Sequence, residues 1–253
     1  MHKNSLKAVV SGGASGLGFA VAQHVIAQGG HVALLDINAE QGAEAILKLG
    51  KNARFFQTDI SDANAVDTAC DAAAAAFGGL NLAVGCAGVL GAGRILGKNG
   101  PMAAEFFQKV ININLVGSFL LTRSAARIMA TNTPDERNER GVIIHTASIA
   151  AFEGQFGQAA YSASKAGIVG MILPMAREFA KLGIRINAVA PGMFETAMLS
   201  SVTDEIREQL FASVPFPSRF GKPEEFAAMV QSIIDNQMLN GTVIRLDGAA
   251  RLQ

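Results

Sequence analysis

The stretch from Lys7 to Asp36 constrains the fold more than any other. Lys7 to Ser11 is a short β-rich run, Phe19 to Gln28 has helical composition, and His31 to Asp36 is an apolar run that ends in an acid. Between the first two lies Ser11-Gly12-Gly13-Ala14-Ser15-Gly16-Leu17-Gly18, and Gly29-Gly30 breaks the helix before the second strand. A strand, a crossover helix and a buried strand make a βαβ unit. That unit commits the chain to a parallel sheet.

The alternation continues down the chain. Ala39 to Leu49 predicts a helix, Arg54 to Thr58 a strand, Asp62 to Phe77 a helix and Leu80 to Gly85 a strand. Gly91 to Pro101 reads as an inserted surface loop, Glu105 to Ala130 as one long helix and Thr131 to Arg140 as a polar loop. A strand at Gly141 to Thr146, a helix at Gln158 to Leu182 and a strand at Arg185 to Ala190 follow. Helices at Glu205 to Leu210 and Pro223 to Asp235 and a strand at Thr242 to Asp247 complete the pattern. It predicts an α/β fold, a Rossmann-like doubly wound parallel sheet flanked by helices on both faces. No linker, repeat or low-complexity tract divides residues 1–253, so one domain is expected.

Composition removes several function classes. The chain has 21 basic and 21 acidic residues, and this balance argues against nucleic acid or a membrane surface as partner. Ala8 to Leu35 is uncharged, but Ser11, Gln23, Gln28, His24, His31 and repeated glycines interrupt it, so no membrane span is expected. Met1 to Lys7 runs into a strand without the apolar core of a secretory signal. Cys70 and Cys86 make neither a zinc-ligand pattern nor a disulfide framework, and no metal is expected. The expected location is the cytoplasm, or the mitochondrial matrix for a eukaryotic source.

The glycine loop carries the first chemistry. Gly12, Gly16 and Gly18 let a tight turn form and let backbone N–H groups, with Ser15 and Leu17, meet a pyrophosphate at a helix N-terminus. Asp36 closes the second strand, where a carboxylate accepts from a ribose 2′-OH and repels a 2′-phosphate. Ile37 follows instead of a basic residue, so NAD is favoured over NADP.

The second chemistry sits on the only tyrosine. Tyr161-Ser162-Ala163-Ser164-Lys165 places a phenol and an ammonium on one helix face, and Ser148 lies upstream after the strand that ends His145-Thr146-Ala147. Oxidation of a secondary alcohol takes the O–H proton while hydride leaves carbon. A phenol of ordinary pKa, about 10, is seldom ionised at neutral pH. Lys165 and a positive nicotinamide are expected to draw Tyr161 down. His145 reads as a structural strand residue.

The Gly-x-x-x-Gly-x-Gly spacing together with Ser148 and Tyr161-x-x-x-Lys165 resembles the short-chain dehydrogenase/reductase family. The resemblance implies that Asp59-Ile60 contacts adenine and that Gly85-Cys86-Ala87-Gly88 is the cofactor segment after the fourth strand. Gly85 stands where that family usually has Asn, a departure that removes a side-chain hydrogen bond from the sheet. The resemblance also implies that Lys165 binds the nicotinamide ribose, that Ser148 and Tyr161 hold the substrate oxygen, and that Asn114 supports a water relay to Lys165. Asn112 is a nearby decoy. Pro191-Gly192-Met193-Phe194-Glu195-Thr196 matches the segment in which the backbone and Thr196 bind the carboxamide, so Pro191, Phe194 and Thr196 are assigned to the cofactor. A substrate-covering segment is expected near residues 193–217.

Longer stretches, from Thr146 through Met171, at Val214 to Arg219 and at Leu239 to Ala249, resemble the type II 3-hydroxyacyl-CoA dehydrogenases within that family. That implies NAD-dependent oxidation of an acyl-CoA 3-hydroxyl by a homotetramer. Met193, Phe194, Met198, Leu199, Phe211 and Phe216 could line an acyl mouth, and Arg94 and Lys98 could meet CoA phosphates. A hydroxysteroid or other secondary-alcohol dehydrogenase is the alternative enzyme. A dinucleotide-binding scaffold or RNA-processing partner is the non-enzyme alternative.

Overall fold

A computed structural model of the chain describes residues 6–98, 100–195 and 213–252. Seven parallel strands form one sheet: β1 (Lys7–Ser11), β2 (His31–Asp36), β3 (Ala53–Gln57), β4 (Leu82–Gly85), β7 (Gly141–Thr146), β8 (Ile184–Pro191) and β9 (Val243–Leu246). Their order is β3-β2-β1-β4-β7-β8-β9. The order reverses between β1 and β4, and ligands of such sheets bind in the crevice beyond that point. A two-residue antiparallel pair, β5 (Leu96–Gly97) and β6 (Gly100–Pro101), stands apart.

The helices cover both faces because alternate strand residues point to opposite sides. Val9, Ala33 and Ile143 pack with Val66 and Cys70 of α3 (Ala63–Phe77), Leu121 of α5 (Gly117–Met129) and Ile168 of α6 (Ala159–Phe179). Val10, Leu34 and Ile144 pack with Val21 of α1 (Gly16–Ala27), Ala45 of α2 (Ala39–Leu49) and Phe226 of α7 (Pro223–Asp235). Each face therefore has its own apolar layer. Among the described residues no helix is long and apolar enough to cross a membrane, and no group of three or more His, Cys, Asp or Glu could hold a metal.

Three elements differ from the sequence reading. The first helix begins at Gly16 instead of Phe19, because Gly16-Leu17-Gly18 winds into its opening turn. The long helix is interrupted: α4 (Ala104–Ile111) passes through a π-turn at Asn112–Val116 into α5. Asn114 in that turn is fully buried and bonds to the backbone of Val89, which a regular helix would not present to it. The inserted loop holds the β5–β6 pair and is tied down where the Gly93 N–H meets the Gly157 carbonyl at 2.8 Å. The expected helix at Glu205 to Leu210 lies outside the described residues.

Candidate active site

A cavity of about 1240 Å³ opens at the reversal point and is lined by Gly12, Asp36, Asp59, Cys86, Ser148 and Tyr161 among others. Single-ligand pockets span roughly 300–1,000 Å³, so this one has room for a dinucleotide and a second molecule.

The glycine-loop end, where a dinucleotide is expected, is made by backbones in close approach. A Cβ on Gly18 would stand 2.2 Å from the Gly12 carbonyl, and one on Gly12 would stand 2.7 Å from the Ala87 nitrogen. Gly12 and Gly16 also take left-handed conformations, φ 63° and 52°. Ser15 caps α1 without a side-chain hydrogen bond, and Ser15, Gly16, Leu17 and Gly18 all face the cavity. Free N–H groups at the positive end of a helix suit a pyrophosphate. Asp36 Oδ2 accepts from the Ala14 N–H at 3.2 Å and Oδ1 from the Asn38 N–H at 3.1 Å, so this carboxylate also fixes the loop. Ile37 beside it is two-thirds exposed and lines the cavity.

Asp59 and Ile60 border the same end. Asp59 Oδ1 closes a local turn by accepting from the Ser61 N–H (2.9 Å) and Ser61 Oγ (2.7 Å). Cys86, Ala87 and Gly88 form the floor, with the Cys86 N–H bonded to the Ser11 carbonyl at 3.0 Å. Burial pushes the Cys86 thiol up to about 11 and the Cys70 thiol up to about 12, which keeps both protonated and unreactive.

Gly85 is explained by its neighbour across the ladder. β4 and β7 pair Gly85 with His145, and a Cβ on Gly85 would stand 2.4 Å from His145 Nδ1. The imidazole fills the space an Asn side chain would need. His145 Nε2 meets Thr122 Oγ1 at 2.6 Å, and that hydroxyl donates to the Ser118 carbonyl at 3.0 Å. The ring therefore donates from Nε2, and Nδ1 is left buried without a partner among the described residues. Burial brings His145 down to about 4, so it is neutral.

The opposite end of the cavity joins β7 to α6. Ser148 follows the strand in extended conformation and opens a single turn, Ile149–Ala151, where its Oγ accepts from the Ala150 N–H at 3.1 Å. Ser148 and Tyr161 hydrogen-bond through their side chains. Lys165, one helical turn beyond Tyr161, is buried and donates from Nζ to the Thr146 carbonyl at 2.7 Å. A Cβ on Gly88 would lie 3.1 Å from Asn114 Oδ1 and 3.7 Å from Lys165 Nζ, so this glycine lets both side chains reach the floor. Asn114 Nδ2 also donates to Ser164 Oγ at 3.0 Å, and Asn112 is exposed.

One expectation is corrected here. Of the protein's own groups it is Ser148, not Lys165, that draws the Tyr161 phenol down: burial raises it above its usual value near 10, and the Ser148 hydrogen bond offsets only part of that. Lys165 points to a carbonyl with its Nζ 5.7 Å from the centre of the tyrosine ring, and burial lowers Lys165 itself to about 8.

The mouth is also redistributed. Phe194 touches the cavity, yet its ring is buried edge-on against Phe226 at 6.5 Å. Phe216 is 83% exposed and is not in the cavity wall, whereas Met193 and Pro191 are. Thr196, Met198, Leu199 and Phe211 lie outside the described residues, as does most of the segment near residues 193–217. Arg94 stacks on the Phe156 ring at 4.5 Å. Sequence reasoning missed Gln155, Gln158, Ala249, Arg251 and Leu252, all of which line the cavity and carry no motif.

Residues 7–207 match the short chain dehydrogenase family. The chain belongs to that family. It is 50% identical over 250 residues to the "3-hydroxyacyl-CoA dehydrogenase type-2" of Bos taurus, covering 98% of this chain and 96% of the relative. The protein of the same name from Drosophila melanogaster is 47% identical over 254 residues, covering 100% and 99%. The crystal structure of "3-hydroxyacyl-CoA dehydrogenase type-2 from Mycobacterium avium" superposes with a TM-score of 0.95 at 39% identity, covering 100% of this chain and 98% of that one. As a short-chain dehydrogenase, the chain is an oxidoreductase of the NAD(P)-using class.

Proposed function

We propose that this short-chain dehydrogenase oxidises the 3-hydroxyl of 3-hydroxyacyl-CoA thioesters to 3-oxoacyl-CoA, reversibly, with NAD. The observation that carries the reading is the Ser148–Tyr161–Lys165 group at one end of a cavity whose other end is a glycine cradle, in a chain about half identical to dehydrogenases of that name.

NAD supplies the hydride acceptor. Gly12 to Gly18 and the opening turn of α1 would hold its pyrophosphate, and Asp36 would accept from the adenosine ribose. Ser148 Oγ orients the substrate hydroxyl, and Tyr161 Oη takes its proton. Lys165 and Asn114, both buried beside Gly88, are the groups through which that proton would leave. Lys165, brought down to about 8, is suited to passing a proton near neutral pH. The phenol is raised by burial, so a positive charge beside it has a large effect, and that charge is present when NAD and not NADH is bound.

A homotetramer fits the reading. The exposed positions include Val116 in the π-turn, Phe119 on α5, and Gly170 and Leu173 on α6, apolar or side-chain-free positions open to a second copy. Location in the cytoplasm, or in the mitochondrial matrix of a eukaryote, goes with the same proposal. The test is reduction of NAD by the purified protein with 3-hydroxybutyryl-CoA and longer homologues, against NADP and a panel of hydroxysteroids. Turnover of acyl-CoA with NAD well above the others is expected. Failure on several acyl lengths by folded protein would refute the proposal.

A further inference from the structure

Around the Ser148 turn, the cavity wall is supplied by the segment that follows β9. Ala249, Arg251 and Leu252 line the cavity together with Gln155 and Gln158. Charged groups pin the segment in place. Arg245 donates from Nη1 to Glu153 Oε1 and from Nε to Asp247 Oδ2, both at 2.7 Å, and from Nη2 to the Ala250 carbonyl at 3.1 Å. Glu153 Oε2 accepts from the Leu252 N–H at 3.2 Å, and Asp247 Oδ1 from the Ala249 N–H at 3.0 Å. The chain reverses at Ala249, where φ is 66°.

These ties seat apolar side chains next to the reacting centre. Ala250 is buried against Ile149 and Val214, with Met193 and Leu252 packed on the same cluster. Ile149 is the residue after Ser148. The two guanidiniums, Arg245 and Arg251, meet the two carboxylates, Glu153 and Asp247, so the network is neutral and recruits no ion. Such a wall selects by volume.

We propose that residues 249–252 are a specificity-determining wall for the acyl chain, with Leu252 setting the space available and Glu153 and Arg245 acting as positioning residues. The proposal rests on the acyl-thioester reading above. It predicts a change in chain-length preference that leaves the dinucleotide end untouched.

The experiment measures kcat/KM on 3-hydroxybutyryl-CoA and 3-hydroxydecanoyl-CoA for wild type, Leu252→Ala, Leu252→Phe and Glu153→Gln, with NAD affinity by direct titration. Removing apolar contact in a pocket changes discrimination by about tenfold or more, so Leu252→Ala should raise the long-to-short ratio by that factor. Leu252→Phe should lower it. Glu153→Gln should raise KM more than it lowers kcat, while NAD affinity stays within about twofold in all three. An unchanged ratio in both Leu252 variants overturns the wall. If wild type turns over neither thioester, the substrate reading fails instead. The same ratio taken on short and long secondary alcohols then decides the wall alone.

Discussion

The two ends of the cavity are built by different means. The dinucleotide end is backbone: glycines at positions 12 and 18 bring main-chain atoms too close for any Cβ, and the N–H groups of α1 are left uncapped. The substrate end is side chains and long-range ties, with Ser148, Tyr161 and Lys165 on one side and residues held by Arg245 and Glu153 on the other. A site made of backbone is written in consecutive residues, because only glycine permits the approach. A site made of side chains from β7, α6 and the segment after β9 is assembled by topology. It leaves a sequence trace only where chemistry demands fixed spacing, as from Tyr161 to Lys165.

The largest effect that separates the ends is loss of the proton acceptor. Tyr161→Phe is expected to lower kcat by about 10³-fold, within the range for general acid–base catalysis, while NAD affinity stays within twofold. Equal loss of NAD binding would show that the two ends are not separable. Gly18→Ala is the converse. Overpacking costs about 1–3 kcal/mol, so NAD should bind about five- to 150-fold more weakly by calorimetry, with the Ser148–Tyr161 hydrogen bond intact.

The seam between the ends is Gly85 with His145. Gly85→Asn should destabilise the protein by about 1–3 kcal/mol in thermal or urea unfolding, because its Cβ meets the imidazole. Gly85→Asn combined with His145→Asn should recover much of that, and additive losses would contradict the pairing. A smaller effect concerns pH. His145 is lowered in the fold to about 4 against about 6.5 unfolded, so the unfolded chain binds the extra proton between these values. Stability should be complete above pH 6.5 and decline as pH falls toward 4. A His145→Asn variant should lack that part of the slope.

Much of the fold was legible because the βαβ period repeats and the strands are apolar through their length. The order of Asp36, Gly85, Ser148 and Tyr161 at strand and helix ends follows directly from it. Three things were not. The π-turn at Asn112–Val116 depends on Val89, which is distant in sequence and bonds to Asn114 on both backbone atoms. The reason for Gly85 lies across a ladder, in register with His145. The direction of the Tyr161 shift depends on burial and on where Lys165 points, and neither is a property of spacing.

The single tyrosine has a further consequence at the bench. The chain has no tryptophan, so apart from phenylalanine its near-ultraviolet absorbance belongs to one phenol, and that phenol is the proposed proton acceptor. Protein concentration read from such absorbance will depend on pH and on bound nucleotide, and should be taken from peptide-bond or amino-acid measurements. In return the proposed active centre reports its own ionisation: without nucleotide the tyrosinate band should titrate higher than that of a free phenol, and saturation with NAD should bring it to lower pH.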